Sequence, residues 1–110
     1  MSSMMEFTEG THTYYVYIIT NKYRSTYYIG MCSNLGKRLR QHQNNIAKDI
    51  ITFASKYQIE HLVYYEEFSW VHIAIAREKE IKAWRRDKKL HLIRSFNPKF
   101  EFLEHLFLYN

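Results

Sequence analysis

Along this chain, polar and apolar positions change period several times, and each change marks an element. Residues 13–20 (TYYVYIIT) are dense in β-branched and aromatic side chains, the signature of a strand. Residues 21–25 are polar and suit a hairpin loop, and residues 26–30 (TYYIG) read as a second, short strand. The short connection makes the pair antiparallel. Ser33 then reads as the cap of a helix running to about Asn44, with Leu35 and Leu39 facing the core. Arg38, Arg40 and His42 are expected off that stripe. Residues 45–58 are mixed and read as irregular, with room for one short turn. Residues 61–68 (HLVYYEEF) form a third strand. Ser69 is the expected cap of a helix from Val71 to about Trp84, and a second helical stretch follows from Asp87 to Ser95. Asn97-Pro98 stops it, because proline disfavours a helical residue before it. Phe100, Leu103 and Phe107 fit one face of a terminal helix. The order β-β-α-β-α-α predicts an α+β fold, a small and mainly antiparallel three-stranded sheet flanked by helices. Residues 1–12 read as a flexible polar tail and residues 13–110 as a single domain.

Composition narrows the function classes. With 110 residues and 46% hydrophobic content, one modest core is expected without disulfide or metal staples. The single cysteine, Cys32, cannot form an internal disulfide, which suits a reducing, cytoplasmic setting. No leader-like segment and no membrane-length apolar run is visible, so a membrane is not an expected partner. Three glycines and no glycine-rich phosphate loop argue against nucleoside-triphosphate use. The six histidines show no paired zinc spacing.

Charge adds a positive indication. Between Arg77 and Arg94, eight basic residues face three acidic ones, so this stretch alone carries +5, the net charge of the whole chain. Lys37, Arg38 and Arg40 make a second basic cluster. Such a distribution suits a polyanion, although a solvated helix face explains it equally well. Glu78 is the carboxylate of interest. Three of its helical neighbours, Ala74, Ile75 and Ile81, are apolar, and the fourth is Lys82. It either faces a site or makes an ordinary i,i+4 pair with that lysine.

Five ordered features then point to one family. Tyr15-Val16-Tyr17 precedes an intact Tyr28-Ile29-Gly30. Ser33-Asn34-Leu35 follows, with Arg38 and His42 spaced one turn apart. Ala76-Arg77-Glu78 with Ile81-Lys82 comes next, and Asn97-Pro98 last. The chain resembles the GIY-YIG nucleases from Tyr14 to Leu103. The likeness is greatest to small stand-alone bacterial proteins, similar to the N-terminal nuclease domain of the excision-repair excinuclease. Two positions depart from the pattern: Tyr15 stands where the first signature has glycine, and Met31 where repair nucleases often carry lysine.

The resemblance implies an endonuclease that hydrolyses DNA phosphodiester bonds with one Mg2+ or Mn2+ ion, with repair and recombination as the expected settings and RNA left open as a substrate. Glu78 would hold the metal, since magnesium is satisfied by one or two carboxylates and its own waters. Arg38 would stabilise the transition state, its planar fork matching phosphate. Tyr17 would be the general base and Tyr28 would orient water or phosphate, an assignment the sequence leaves interchangeable. His42 would bind phosphate or relay a proton. Gly30 would permit close approach between strand and helix. Lys37, Arg40, Lys82, Arg85, Lys88, Lys89 and Asn97 would contact nucleic acid, with holding the glutamate helix, or a plain turn role before Pro98, as the alternatives for Asn97. The alternatives are a non-catalytic nucleic-acid-binding module on the same fold, and an interaction protein docking through its aromatic C-terminal stretch from Phe100 to Tyr109.

Overall fold

The structure is a computed structural model and describes residues 12–108. The expected tail lies outside the described residues apart from His12, as do Tyr109 and Asn110. Three strands form one antiparallel sheet in the order β2-β1-β3: β1 Tyr14–Thr20, β2 Tyr27–Cys32 and β3 His61–Phe68. Five helices flank it: α1 Leu35–Ala47, α2 Phe53–Lys56, α3 Val71–Ala83, α4 Arg86–Phe96 and α5 His105–Leu108. The fold class is the α+β arrangement expected.

β1 is the central strand, and Val16 through Thr20 are buried. Alternation sends Val16 and Ile18 to one sheet face and Tyr17 and Ile19 to the other, so two core layers form. The first layer joins Ile29, Val63 and Tyr64 to Ala74 and Ile81 of α3 and Ile93 of α4. The second joins Tyr17, Ile19 and Leu62 to Leu35 and Leu39 of α1 and Ala54 of α2. A bulge on β3 lets Ile18 face Tyr64 and Ile19 face Leu62, with Val63 extra, so Val63 and Tyr64 enter the same layer. Truncating a side chain such as Leu39, which is fully buried, to alanine would cost about 2–5 kcal/mol.

Local chemistry sets the boundaries. Asn21 closes the first hairpin, its Oδ1 accepting from the backbone N–H of Ser25 at 2.9 Å. β2 continues two residues past the expected Gly30 because Met31 and Cys32 still pair with Val16 and Tyr15. The α1 cap is Asn34, not Ser33; its Oδ1 accepts from Lys37 N–H at 3.0 Å. The helix runs on to Ala47, and α2 opens with a Thr52–Ser55 capping box inside a region expected to be irregular. Trp70 rather than Ser69 precedes α3 and makes no side-chain cap bond.

The terminal helix differs most. Phe100 lies outside it, with a positive φ of 54°, and packs in the first layer. Leu103 and Phe107 pack against the second. The reason is Asn97, which is buried and whose amide donates to the carbonyls of Val63 at 3.1 Å and Glu101 at 2.8 Å. Its Oδ1 accepts from Glu101 N–H at 3.0 Å. That turn carries the chain across from one sheet face to the other. Leu103 N–H then donates to the Leu62 carbonyl at 2.7 Å, and Glu104 accepts from Leu62 N–H at 3.0 Å. Beyond it, the Phe107 carbonyl sits so close to Gly36 that a Cβ there would fall 2.9 Å from the oxygen. α1 therefore needs glycine at that contact.

Candidate active site

Tyr17 is the centre of the cluster. It is 1% exposed, and its hydroxyl lies 3.1 Å from His42 Nε2. Tyr28 completes a three-ring group, 6.4 Å from the Tyr17 ring and 5.5 Å from the imidazole in an edge-on arrangement. The register explains the meeting. Tyr17 pairs with Gly30 and Ile19 with Tyr28, so the two phenols are diagonal neighbours on one face. His42 reaches them because it extends the buried stripe of α1 that Leu35 and Leu39 begin. The sequence pattern placed His42 off that stripe. Helical geometry puts residues 35, 39 and 42 on one face, and the polarity of histidine hid its membership.

The electrostatics follow from burial. Desolvation raises the Tyr17 hydroxyl far above its ordinary value; Tyr28 and, more weakly, Glu78 add to the rise, while Arg38 opposes it. Tyr17 is therefore a neutral phenol. Burial, with help from the Arg38 charge, lowers His42 to about 4, so its ring is neutral at physiological pH. In the tautomer protonated at Nδ1, the neutral imidazole accepts the Tyr17 hydroxyl proton at Nε2.

Glu78 stands on α3 between the buried Ala74 and Ile81. Its side chain is 20% exposed and its Oε2 is 3.1 Å from Lys82 Nζ. The i,i+4 pair is thus present, and the carboxylate charge also acts on Tyr17. Among the described residues, no three His, Cys, Asp or Glu side chains come together as a metal cage. The donor set is one partly accessible carboxylate, which fits a hard cation that keeps most of its waters.

Gly30 acts differently from the expectation of a strand–helix approach. The close neighbour is the Tyr17 ring itself: a Cβ on Gly30 would fall 2.5 Å from its Cζ. Any side chain there would displace the phenol.

Arg38, His42 and Tyr28 line a cavity of about 290 Å³ together with Gln41, Asn45 and Phe53. Arg38, Gln41 and Asn45 also line an adjoining groove of about 750 Å³, where Lys37, Arg40 and Lys48 supply further positive charge. Sequence reasoning did not single out Gln41, Asn45, Lys48 or Phe53. The Thr52–Ser55 capping spacing was the available signal for the short helix that carries Phe53.

The larger basic stretch lies elsewhere. α4 packs against the first core layer through Ile93, on the sheet face opposite the phenols. Arg77 is held by Glu66 at 2.8 Å and Glu80 at 2.8 Å, and Tyr64 donates to the same Glu66 carboxylate. Arg86 donates to the Ser25 carbonyl at 2.6 Å, and Lys88 sits 4.3 Å over the Trp84 ring. Arg85 is highly exposed, 3.8 Å from Asp87. The expected nucleic-acid contacts at Arg85, Lys88 and Lys89 are thus separated from the phenols by the sheet; α3, with Glu78 and Lys82, packs on that same first layer, and the tie from Glu78 to the phenols is its charge acting on Tyr17. Of the readings of Asn97, the turn residue before Pro98 is the one the structure supports: its buried amide N–H groups are both given to backbone carbonyls, which leaves no donor for phosphate.

Comparison with known proteins agrees with this architecture. The family model described as the GIY-YIG catalytic domain matches residues 13–91. The solution NMR structure of the UPF0213 protein BH0048 from Bacillus halodurans is similar, at a TM-score of 0.51 and 23% identity, over 81% of this chain and 90% of that one. At that identity the likeness speaks for the fold alone. No curated protein matches the chain.

Proposed function

This chain belongs to the GIY-YIG family, a family of nucleases, and from that membership we propose that it is a metal-dependent endonuclease hydrolysing DNA phosphodiester bonds, in repair or recombination. The observation that carries the reading is the 3.1 Å contact between the Tyr17 hydroxyl and His42 Nε2, with the Arg38 and Glu78 charges both acting on that phenol.

The geometry supports one assignment of roles. A water beside Tyr17 gives its proton to the phenolic oxygen as the phenol passes its own to His42 Nε2. The phenol need never become a free anion, which its burial forbids. The water oxygen then bonds to phosphorus, the opposite P–O bond breaks with its electron pair, and the leaving oxygen takes a proton from solvent, to which His42 returns the one it accepted. Arg38 offers two parallel N–H donors to the phosphate oxygens as charge accumulates there. Tyr28, next to both the Tyr17 ring and the imidazole, orients the water or the phosphate. Glu78 would hold one divalent cation, magnesium or manganese, which supplies Lewis-acid neutralisation of the phosphate. Lys82, 3.1 Å from Glu78, then exchanges its partner for a neighbouring phosphate. Lys37 and Arg40 hold flanking phosphates in the groove along α1. No helix among the described residues is long and apolar enough to cross a membrane.

The second reading is a binding module that does not cleave. The engagement of the Glu78 carboxylate by Lys82 favours it. A cleavage screen with magnesium or manganese over duplex, single-stranded, flap and junction DNA separates the two. Metal-dependent cutting that is lost in Glu78→Ala supports the enzyme; binding with no cutting on any substrate refutes it.

A further inference from the structure

Phe53 is an exposed ring with a fixed position and no part in either core layer. It is 53% exposed. Its ring centre is 6.4 Å from Tyr28 and 5.1 Å from Tyr57, which is itself 44% exposed. The helix that carries it is anchored by buried Ala54 and by the Thr52–Ser55 capping box, so the ring is held at the mouth of the site without being covered. Beside it, the 290 Å³ cavity and the 750 Å³ groove meet at Arg38, Gln41 and Asn45. Among the described residues, none lining either cavity is acidic. A cationic and amide-lined trough therefore ends at an exposed aromatic ring next to Tyr28.

We propose that this trough takes an unpaired DNA strand, its sugar–phosphate chain along α1 and one base stacked on Phe53. The proposal deepens the nuclease reading, on which it rests for the position of the reacting phosphate. The physical argument is one of available faces. In a duplex both faces of every base are covered by neighbouring bases, so an exposed ring at the site mouth gains nothing from paired DNA. An unpaired base offers a bare face, and sequence-tolerant stacking of this kind combines with a positive groove in single-strand binders. Gln41 and Asn45 bring donors that reach phosphate or base edge without adding charge. Tyr57, with Lys56 Nζ 5.7 Å from its ring centre, extends the platform by one more ring.

The test measures binding apart from cleavage. Fluorescence anisotropy is recorded in EDTA with a ~16-nucleotide oligothymidine and a duplex of equal length. The wild-type chain is expected to favour the single strand by about tenfold or more, and Phe53→Ala to lose about tenfold on it while changing duplex affinity less than about twofold. Phe53→Trp should keep the affinity, and its added tryptophan emission should be quenched by oligothymidine relative to wild type. Because Phe53 is outside the core, its variants should melt with wild type. Equal or stronger binding of the duplex, an unchanged Phe53→Ala affinity, or an unquenched tryptophan would each overturn the proposal. Selective single-strand binding without cutting by wild type under any metal would leave the stacking site standing and sink the nuclease reading instead.

Discussion

The Tyr17 phenol lies directly over the α-carbon of Gly30, its partner in the β1–β2 ladder. The glycine of the second signature is therefore a space reserved for the tyrosine of the first. Gly30→Ala would drive a methyl into the Tyr17 ring, which is 1% exposed and has little room to yield. We expect a loss of about 1–3 kcal/mol in denaturant unfolding, together with loss of the Tyr17–His42 bond. Unchanged stability would show that the ring can move aside.

Glu78→Ala is expected to lower metal-dependent cleavage by at least about a hundredfold while leaving DNA affinity in EDTA near wild type. Single-turnover assays beside binding titrations check this. A variant that cuts normally would remove Glu78 from the metal site.

Arg38→Ala is expected to slow the chemical step by about 10²–10³-fold, the usual cost of losing one preorganised donor to a developing anion. The groove keeps Lys37, Arg40 and Lys48, so binding should weaken far less. If the loss appears in affinity and not in single-turnover rate, Arg38 is only a phosphate anchor.

His42 makes stability depend on pH with a definite sign. Its folded pKa, about 4, lies below the ordinary 6.5. As pH falls through the ordinary value, the unfolded chain takes up a proton that the folded chain refuses until about 4. Folding therefore loses stability across that window and no further from this group below it. The depression corresponds to at most about 3 kcal/mol. His42→Gln should flatten this part of the profile, measured by urea unfolding between about pH 7 and pH 4. A parallel profile for the variant would count against the buried neutral ring.

The basic clusters should separate in a salt titration. Lys37→Ala with Arg40→Ala should reduce the slope of log affinity against log salt by roughly two charges' worth. Lys88→Ala with Lys89→Ala should leave it nearly unchanged, because α4 covers the opposite sheet face. The reverse result would move the nucleic-acid track to α4.

Much of this arrangement was legible in the sequence because period and turn chemistry are local. Strand β3 and the start of α3 fall where the pattern put them. The first two strands needed only a shift at their ends, since pairing with β1 fixes where β2 stops. What sequence could not show was facing. A run of charge does not say which side of a sheet its helix covers, so the stretch from Arg77 to Arg94 looked like the interface while Arg77 and Arg86 commit donors to acceptors of the protein itself. His42 was misplaced for a related reason: a polar residue completing an apolar stripe is invisible to hydropathy until its partner, the Tyr17 hydroxyl, is known. Phe100, Leu103 and Phe107 shared a helical spacing without sharing a helix, because the side-chain bonds of Asn97 impose a turn first.

That turn has a bearing on how the domain comes apart. From Asn97 onward the chain laces the two hydrophobic layers to each other: Phe100 is gripped by one, Leu103 and Phe107 by the other, and the Asn97 and Leu103 bonds tie both to β3. Because these contacts join the two layers, unfolding is expected to be a single concerted event, and a nick in this lacing should loosen the Tyr17, Tyr28 and His42 rings as well as α4.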